Sequence, residues 1–191
     1  MNLSAAKTIA DSLVERLTPY CDRVMIAGSI RREKPEVKDI EIVAAPKLVT
    51  AVGGDLFNPK PQHETSVDFI RAVKSLGVPV KGQPTGRYTQ ITLPEGVALD
   101  LFMPTPGDYW RQFAIRTGSS DYAARKIAGG WKARGWCGSD EGLRLIDDCV
   151  KKSAGWKCIN PNAQLPPEWE SEEAFFEWLG IPWIHPRNRL A

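Results

Sequence analysis

The sequence predicts an α+β fold in two lobes, and three observations carry that prediction. Residues 39–45 alternate cleanly, with Ile40 and Ile42 on one face and Asp39, Glu41 and Val43 on the other, as a half-buried strand does. Residues 87–93 and 97–103 flank Pro94-Glu95-Gly96, a turn that pairs them as a hairpin. Helical periodicity brackets these strands at both ends of the chain, and Pro104 and Pro106 mark a boundary between residues 1–106 and 107–191. At 191 residues the chain suits one compact domain or two small lobes and buries roughly 70% of its unfolded surface.

The elements follow in order. Leu3, Ala6, Ile9, Ala10, Leu13 and Leu17 recur at helical spacing until Pro19 ends the pattern. Residues 23–27 read as a short strand, Gly28-Ser29 as a tight turn, and residues 30–34 as a first helical turn that Pro35 stops. Residues 65–76 form a second amphipathic helix, with Val67, Ile70, Val73 and Leu76 inward and Gly77 as its stop. Beyond the boundary, residues 119–134 read as helix and 140–146 as a short hairpin. Residues 171–179 form a helix that Ser171 caps, with acidic residues in its first turn. Phe175, Trp178, Leu179 and Trp183 are expected to line the core, and His185 to be structural.

Composition bounds the function without naming it. A hydrophobic fraction of 42% and a charged fraction of 25% are ordinary for a globular protein, which excludes disorder and fibrous repeats. No apolar run approaches the roughly 18 residues that cross a bilayer, and the N-terminus lacks a secretory pattern. The expectation is an intracellular protein, cytoplasmic or nucleoid-associated, with no membrane partner. The four cysteines form no CxxC pair and only two histidines exist, which argues against structural zinc. Reduced thiols are expected, while a disulfide among Cys137, Cys149 and Cys158 stays open. Net charge is only +2, yet residues 111–157 hold ten basic against five acidic residues, a net +5, and residues 158–191 hold two against five, a net −3. A basic middle suits a phosphate backbone and equally suits solvated helix faces.

The chemistry concentrates in two places. Asp39 and Glu41, two apart on a strand, project from one face, and two carboxylates about 4 Å apart repel by about 4 kcal/mol at an effective dielectric of 20. Such a pair calls for a cation, and Asp100 on a second apolar strand can supply a third carboxylate to the same point. An all-oxygen donor set suits Mg²⁺ or Mn²⁺. The plainer alternative pairs the two acids with Arg31, Arg32 or Lys38 on the surface. Immediately upstream, Gly28-Ser29-Ile30-Arg31-Arg32 offers backbone N–H groups, a hydroxyl and arginines to an anion, about ten residues from the carboxylates.

With these residues in view, the chain resembles family X DNA polymerases over nearly its whole length. Gly28-Ser29-Ile30-Arg31-Arg32 followed by Asp39-Ile40-Glu41 is similar to that family's GS-x-RR and D-x-D or D-x-E signature, which many nucleotidyltransferases share. Residues 87–103 resemble the hairpin that carries the third aspartate, here Asp100. Thr117-Gly118-Ser119 resembles the motif beside the incoming sugar and base, Glu141-Gly142-Leu143 a later hairpin, and residues 171–187 the closing helix and proline-bounded strap. The resemblance implies a nucleotidyltransferase palm, a mixed sheet with helices packed on one side, followed by a small α+β C-terminal lobe that contacts nucleotide and DNA. It also implies a minimal form without lyase or helix-hairpin-helix domains.

The implied activity is a two-metal transfer of a nucleoside monophosphate from a dNTP to a DNA 3′-hydroxyl in gap filling or repair, by a monomer acting on gapped or primer-template DNA. Asp39, Glu41 and Asp100 would hold two Mg²⁺ (or Mn²⁺) ions. Gly28, Ser29, Arg32, Thr117, Gly118 and Ser119 would contact the nucleotide, and Arg87, Arg125, Lys126, Lys132 and Lys151 the DNA. Three departures from the family pattern stand out, the first against a tyrosine-based filter for the sugar and the other two against accurate templated copying. Ile115-Arg116 replaces the usual aromatic pair, Ala123 a base-contacting asparagine, and Ala98 an arginine two residues before the third aspartate. Ile115-Arg116 and Ala123 raise a second reading, a non-templated transferase acting on RNA, a small molecule or a protein; a third, of a different class, is a module that keeps the fold and only binds DNA ends or nucleotides.

Overall fold

Asn2 opens the first helix because its side-chain oxygen accepts the Ala5 N–H at 2.9 Å, and that helix, α1 (Leu3–Leu17), buries Ala6, Ala10, Leu13 and Leu17 in this computed structural model. The structure describes residues 1–55, 58–139, 141–153 and 155–190, with side chains described for all of these except 52–62. The chain is a mixed α+β protein in two compact units, Met1–Pro106 and Gly107–Ala191. Among the described residues no helix is long and apolar enough to cross a membrane.

After α1 the first unit runs β1 (Cys21–Ile26), α2 (Gly28–Arg31), β2 (Asp39–Pro46), β3 (Leu48–Asp55), β4 (Asn58–Thr65), α3 (Val67–Lys74), β5 (Val78–Gly82), β6 (Tyr88–Thr92) and β7 (Ala98–Phe102). Five strands form one sheet in the order β1-β2-β7-β6-β5. Only β2 and β7 are parallel in it, which makes the sheet mixed. Ile40, Ile42 and Ala44 of β2 and Leu99 and Leu101 of β7 share a core with the buried faces of α1 and α3. The helices therefore cover one face, and strand alternation sends Asp39, Glu41 and Asp100 to the other.

Three features of this unit differ from the sequence expectation. The inward residues of α3 are Phe69 and Val73, joined by Leu76, whereas Val67 is 65% exposed, because the phase of the helix is set by the bulkiest apolar side chain. Strands β3 and β4 pair with each other in full register from Leu48↔Thr65 to Asp55↔Asn58. Pro59 and Pro61 fit there because residues two apart direct their missing N–H groups to one edge, and a two-stranded ribbon has free edges. Strand β5 is exposed at every position, so it shows no alternation to read.

The second unit contains α4 (Tyr109–Thr117), α5 (Ser120–Tyr122), a wide i→i+5 turn over Ala123–Ile127, and α6 (Ala128–Ala133). Then follow β8 (Trp136–Ser139), β9 (Gly142–Leu145), β10 (Cys149–Lys152), β11 (Gly155–Cys158) and α7 (Glu172–Leu179). The expected single helix over 119–134 is thus three pieces. Asp140, the expected start of the hairpin, lies outside the described residues, and the hairpin itself pairs Trp136↔Leu145 through Ser139↔Gly142. The four strands order as β10-β11-β8-β9. Phe175, Phe176 and Leu179 pack with Trp131, Trp136 and Trp169 in this unit's core.

Ser171 caps α7 by accepting the Ala174 N–H at 3.1 Å, as the sequence indicates. Trp183, expected in the core, is 38% exposed, although its indole N–H donates to Glu172 Oε2 at 2.8 Å. That carboxylate also receives Arg189 in a bidentate pair at 2.6 and 2.9 Å. Arg189 is fully buried, stacked 4.6 Å from the Phe176 ring centroid, and its Nε donates to the Ile184 carbonyl. His185 Nδ1 accepts the Arg187 N–H at 3.3 Å, a turn-holding contact.

Candidate functional site

The carboxylate face is assembled by register. In the parallel β2–β7 pair, Glu41 stands opposite Asp100 and Asp39 opposite Ala98. In the antiparallel β6–β7 pair, Gln90 stands opposite Asp100 and Tyr88 opposite Phe102. A single polar row therefore runs Glu41, Asp100, Gln90 across three strands. Tyr88 and Gln90 fix one oxygen of the aspartate, since the Tyr88 hydroxyl donates to Asp100 Oδ1 at 2.6 Å and Gln90 Nε2 donates to the same oxygen at 2.9 Å. Two donors on one carboxylate oxygen leave the other free of them.

The Gly28 turn is tied to this row. Ala27 N–H donates to the Glu41 carbonyl at 2.8 Å, the Lys34 N–H closes back on the Ser29 carbonyl at 3.0 Å, and Glu33 takes the left-handed conformation that ends α2. Gly28 has φ +63°, and a Cβ there would lie 2.0 Å from Glu41 Oε2 and 2.8 Å from its Cδ. Only glycine lets the carboxylate rest against the turn. Arg32 is the cation of the neighbourhood: burial lowers its pKa, and the charges of Glu41 and Asp39 act in the opposite sense. Ser29 Oγ is buried and, among the described residues, has no hydrogen-bond partner. A hydroxyl left in that state costs about 1–3 kcal/mol, which a polar ligand would relieve.

Oxygen donors of this kind fit a hard divalent cation. Among the described residues, no three His, Cys, Asp or Glu side chains converge as a ready metal cage. Glu41 leans over Gly28 and Asp100 turns toward Tyr88 and Gln90, so holding an ion calls for side-chain rotation on a fixed backbone. Tyr88 and Gln90 are absent from the sequence-based site. Their i, i+2 spacing on a strand paired with that of Asp100 is the signal that points to them.

The remaining candidates belong to the second unit or to loops. Thr117 is fully buried at the end of α4. Gly118 donates its N–H to the Ala114 carbonyl, and a Cβ there would meet Tyr122 Cδ1 at 2.8 Å, so the need for glycine has an internal cause. Ser119 is committed to the C-terminal strap: its N–H donates to the Arg189 carbonyl at 3.0 Å and its hydroxyl to the Leu190 carbonyl, while its Oγ accepts the Tyr122 N–H. Arg87, Arg125, Lys126, Lys132 and Lys151 are all exposed. No protein-family model matches the chain, and no curated protein matches it.

Proposed function

We propose that the chain is a metal-dependent nucleotidyltransferase of the family X DNA polymerase type, its first unit a palm, adding nucleotides from dNTPs to a DNA 3′-hydroxyl. The observation that carries the reading is the parallel register of Glu41 with Asp100 on the helix-free face, with Asp39 on the same side and Gly28 packed against Glu41. Asp39, Glu41 and Asp100 would hold two Mg²⁺ (or Mn²⁺) ions, which when bound supply Lewis-acid stabilisation of phosphoryl oxygens and an activated hydroxyl. The chain's own residues orient and neutralise. Tyr88 and Gln90 hold Asp100 by one oxygen and leave the second for a ligand. Ser29 donates its buried hydroxyl to a phosphate oxygen, satisfying that donor, and Arg32 brings a full positive charge to the leaving phosphates.

The internal commitments of Ser119, with Ala123 and the Ile115-Arg116 pair, favour a second reading in which the same chemistry is non-templated. Incubation with a gapped duplex, labelled dNTPs and Mg²⁺ or Mn²⁺ tests both. The proposal expects metal-dependent extension that Asp100→Ala abolishes. No extension by the wild type, or full extension by the variant, defeats it. Nucleotide choice that ignores the template base selects the second reading.

A further inference from the structure

The second unit gathers three of the four cysteines, and the candidate site uses none of them. Cys137 lies on β8, Cys149 opens β10 and Cys158 closes β11. Cys149 and Cys158 are direct cross-strand partners, and Cys158 Sγ donates to the Asn160 carbonyl at 3.4 Å. All are free thiols.

The ladder fixes the kind of pair. Ile159 N–H donates to the Asp148 carbonyl at 2.9 Å, so residues 148 and 159 are hydrogen-bonded partners, and Cys149 with Cys158 occupies the next, non-hydrogen-bonded step. At such steps the Cα atoms of an antiparallel pair are about 4.5 Å apart and the side chains are closest. A disulfide requires a Cα separation of about 4.4–6.8 Å, so the strands already satisfy it without moving.

We propose that Cys149 and Cys158 form a modification site for thiol–disulfide exchange with a low-molecular-weight disulfide, closing a reversible cross-strand bond at the base of the β10–β11 hairpin. Access assigns the order of events. Cys158 is half-buried and lines an open depression of about 390 Å³ together with Glu141, Arg144 and Asn160. Its thiolate attacks one sulfur of the small disulfide, forming a mixed disulfide and releasing one small thiolate. Cys149 loses its proton to solvent and attacks Cys158 Sγ, forming the protein disulfide and expelling the second small thiolate. The small molecule is reduced by two electrons and the cysteine pair is oxidised by two. Burial first, then the adjoining thiols, push Cys149 up to about 12, which keeps it a thiol and leaves the first attack to Cys158. Cys137 is buried, only 1% exposed, so a small disulfide cannot reach it first. The trio forms no metal-holding group. The bond would staple a hairpin that carries Lys151, Lys152 and Lys157.

The sequence makes the test clean, because Arg144, Lys151 and Lys157 place the three cysteines on separate tryptic peptides. Full-length reduced protein is incubated with oxidised glutathione in excess over reduced, quenched by alkylation, digested and analysed by mass spectrometry. The expected result is a peptide pair linked through Cys149 and Cys158, with the intact mass lower by about 2 Da. Reduction should reverse it, and Cys137→Ala should retain it. Cys149→Ser should accumulate glutathione on Cys158 instead. Four alkylatable thiols under oxidising conditions, a link through Cys137, or a wild type that stops at the mixed disulfide each overturns the proposal. The wild-type measurement decides by itself, whatever the folding of the variants.

Discussion

Replacing Gly28 with alanine probes the contact between the turn and the carboxylate row. The added Cβ would sit 2.0 Å from Glu41 Oε2, and an ordinary contact begins at about 3.4 Å, so the carboxylate must retreat by about 1.4 Å. Misplacement of a reacting group by about 1 Å can cost a factor of about 100 in rate. Alanine at φ +63° adds backbone strain of about 1–2 kcal/mol, equivalent to a Tm lower by roughly 2–8 °C in a chain of this size. The proposed enzyme should therefore lose about 100-fold in kcat/KM for gap extension while staying folded by circular dichroism at the assay temperature. Adding Glu41→Asp should return part of the lost stability, because the shorter side chain clears the new methyl group, without returning activity. Extension by Gly28→Ala within threefold of wild type would refute the reasoning, since it would mean that Glu41 can leave this place at no cost to the reaction.

Three further outcomes are expected. Replacing both donors to Asp100, Tyr88→Phe with Gln90→Leu, removes charge-assisted hydrogen bonds worth about 1.5–3 kcal/mol each and should lower metal-dependent extension at least about tenfold; titrating the divalent ion shows whether the loss lies in ion affinity, and unchanged turnover counts against a positioning role. Glu172→Ala leaves Arg189 buried without its partner and should cost about 3–5 kcal/mol in urea unfolding, whereas Glu172→Leu with Arg189→Met should recover much of that; equal losses in both would show that shape, not charge, dominates there. Burial, aided by the charge of Asp22, pushes Cys21 up to about 12 against 9.0 in an unfolded chain, so the unfolded state ionises first. Its contribution to stability is complete below pH 9 and is lost as the pH rises toward 12, and Cys21→Ala should flatten the alkaline fall of the urea midpoint; parallel curves would reject the assignment.

The carboxylate strands were legible because a half-buried strand writes its faces into the alternation of Asp39, Ile40, Glu41 and Ile42, and of Leu99, Asp100 and Leu101. The loop Pro94-Glu95-Gly96 likewise announces its hairpin. The β3–β4 ribbon was not legible, since Pro59 and Pro61 argue against a strand until it is known that no third strand needs their N–H groups. Tyr88 and Gln90 needed register, which local pattern does not contain: the row from Glu41 through Asp100 to Gln90 exists only once three strands are aligned. The Thr117-Gly118-Ser119 turn shows the opposite limit. A motif that reads as a ligand contact is occupied by bonds to the chain's own last residues.

The Arg189–Glu172 pair sets a schedule for synthesis. A guanidinium near the end of the chain plugs the aromatic wall of the second unit, and Ser119, some seventy positions earlier, waits for the same segment. On the ribosome the first unit can close as soon as β7 emerges, but the second has neither its plug nor its strap until residue 189 clears the exit tunnel. The second unit therefore matures only after that segment is free to dock, and a nascent chain halted before it would expose Phe176 and the floor beneath it.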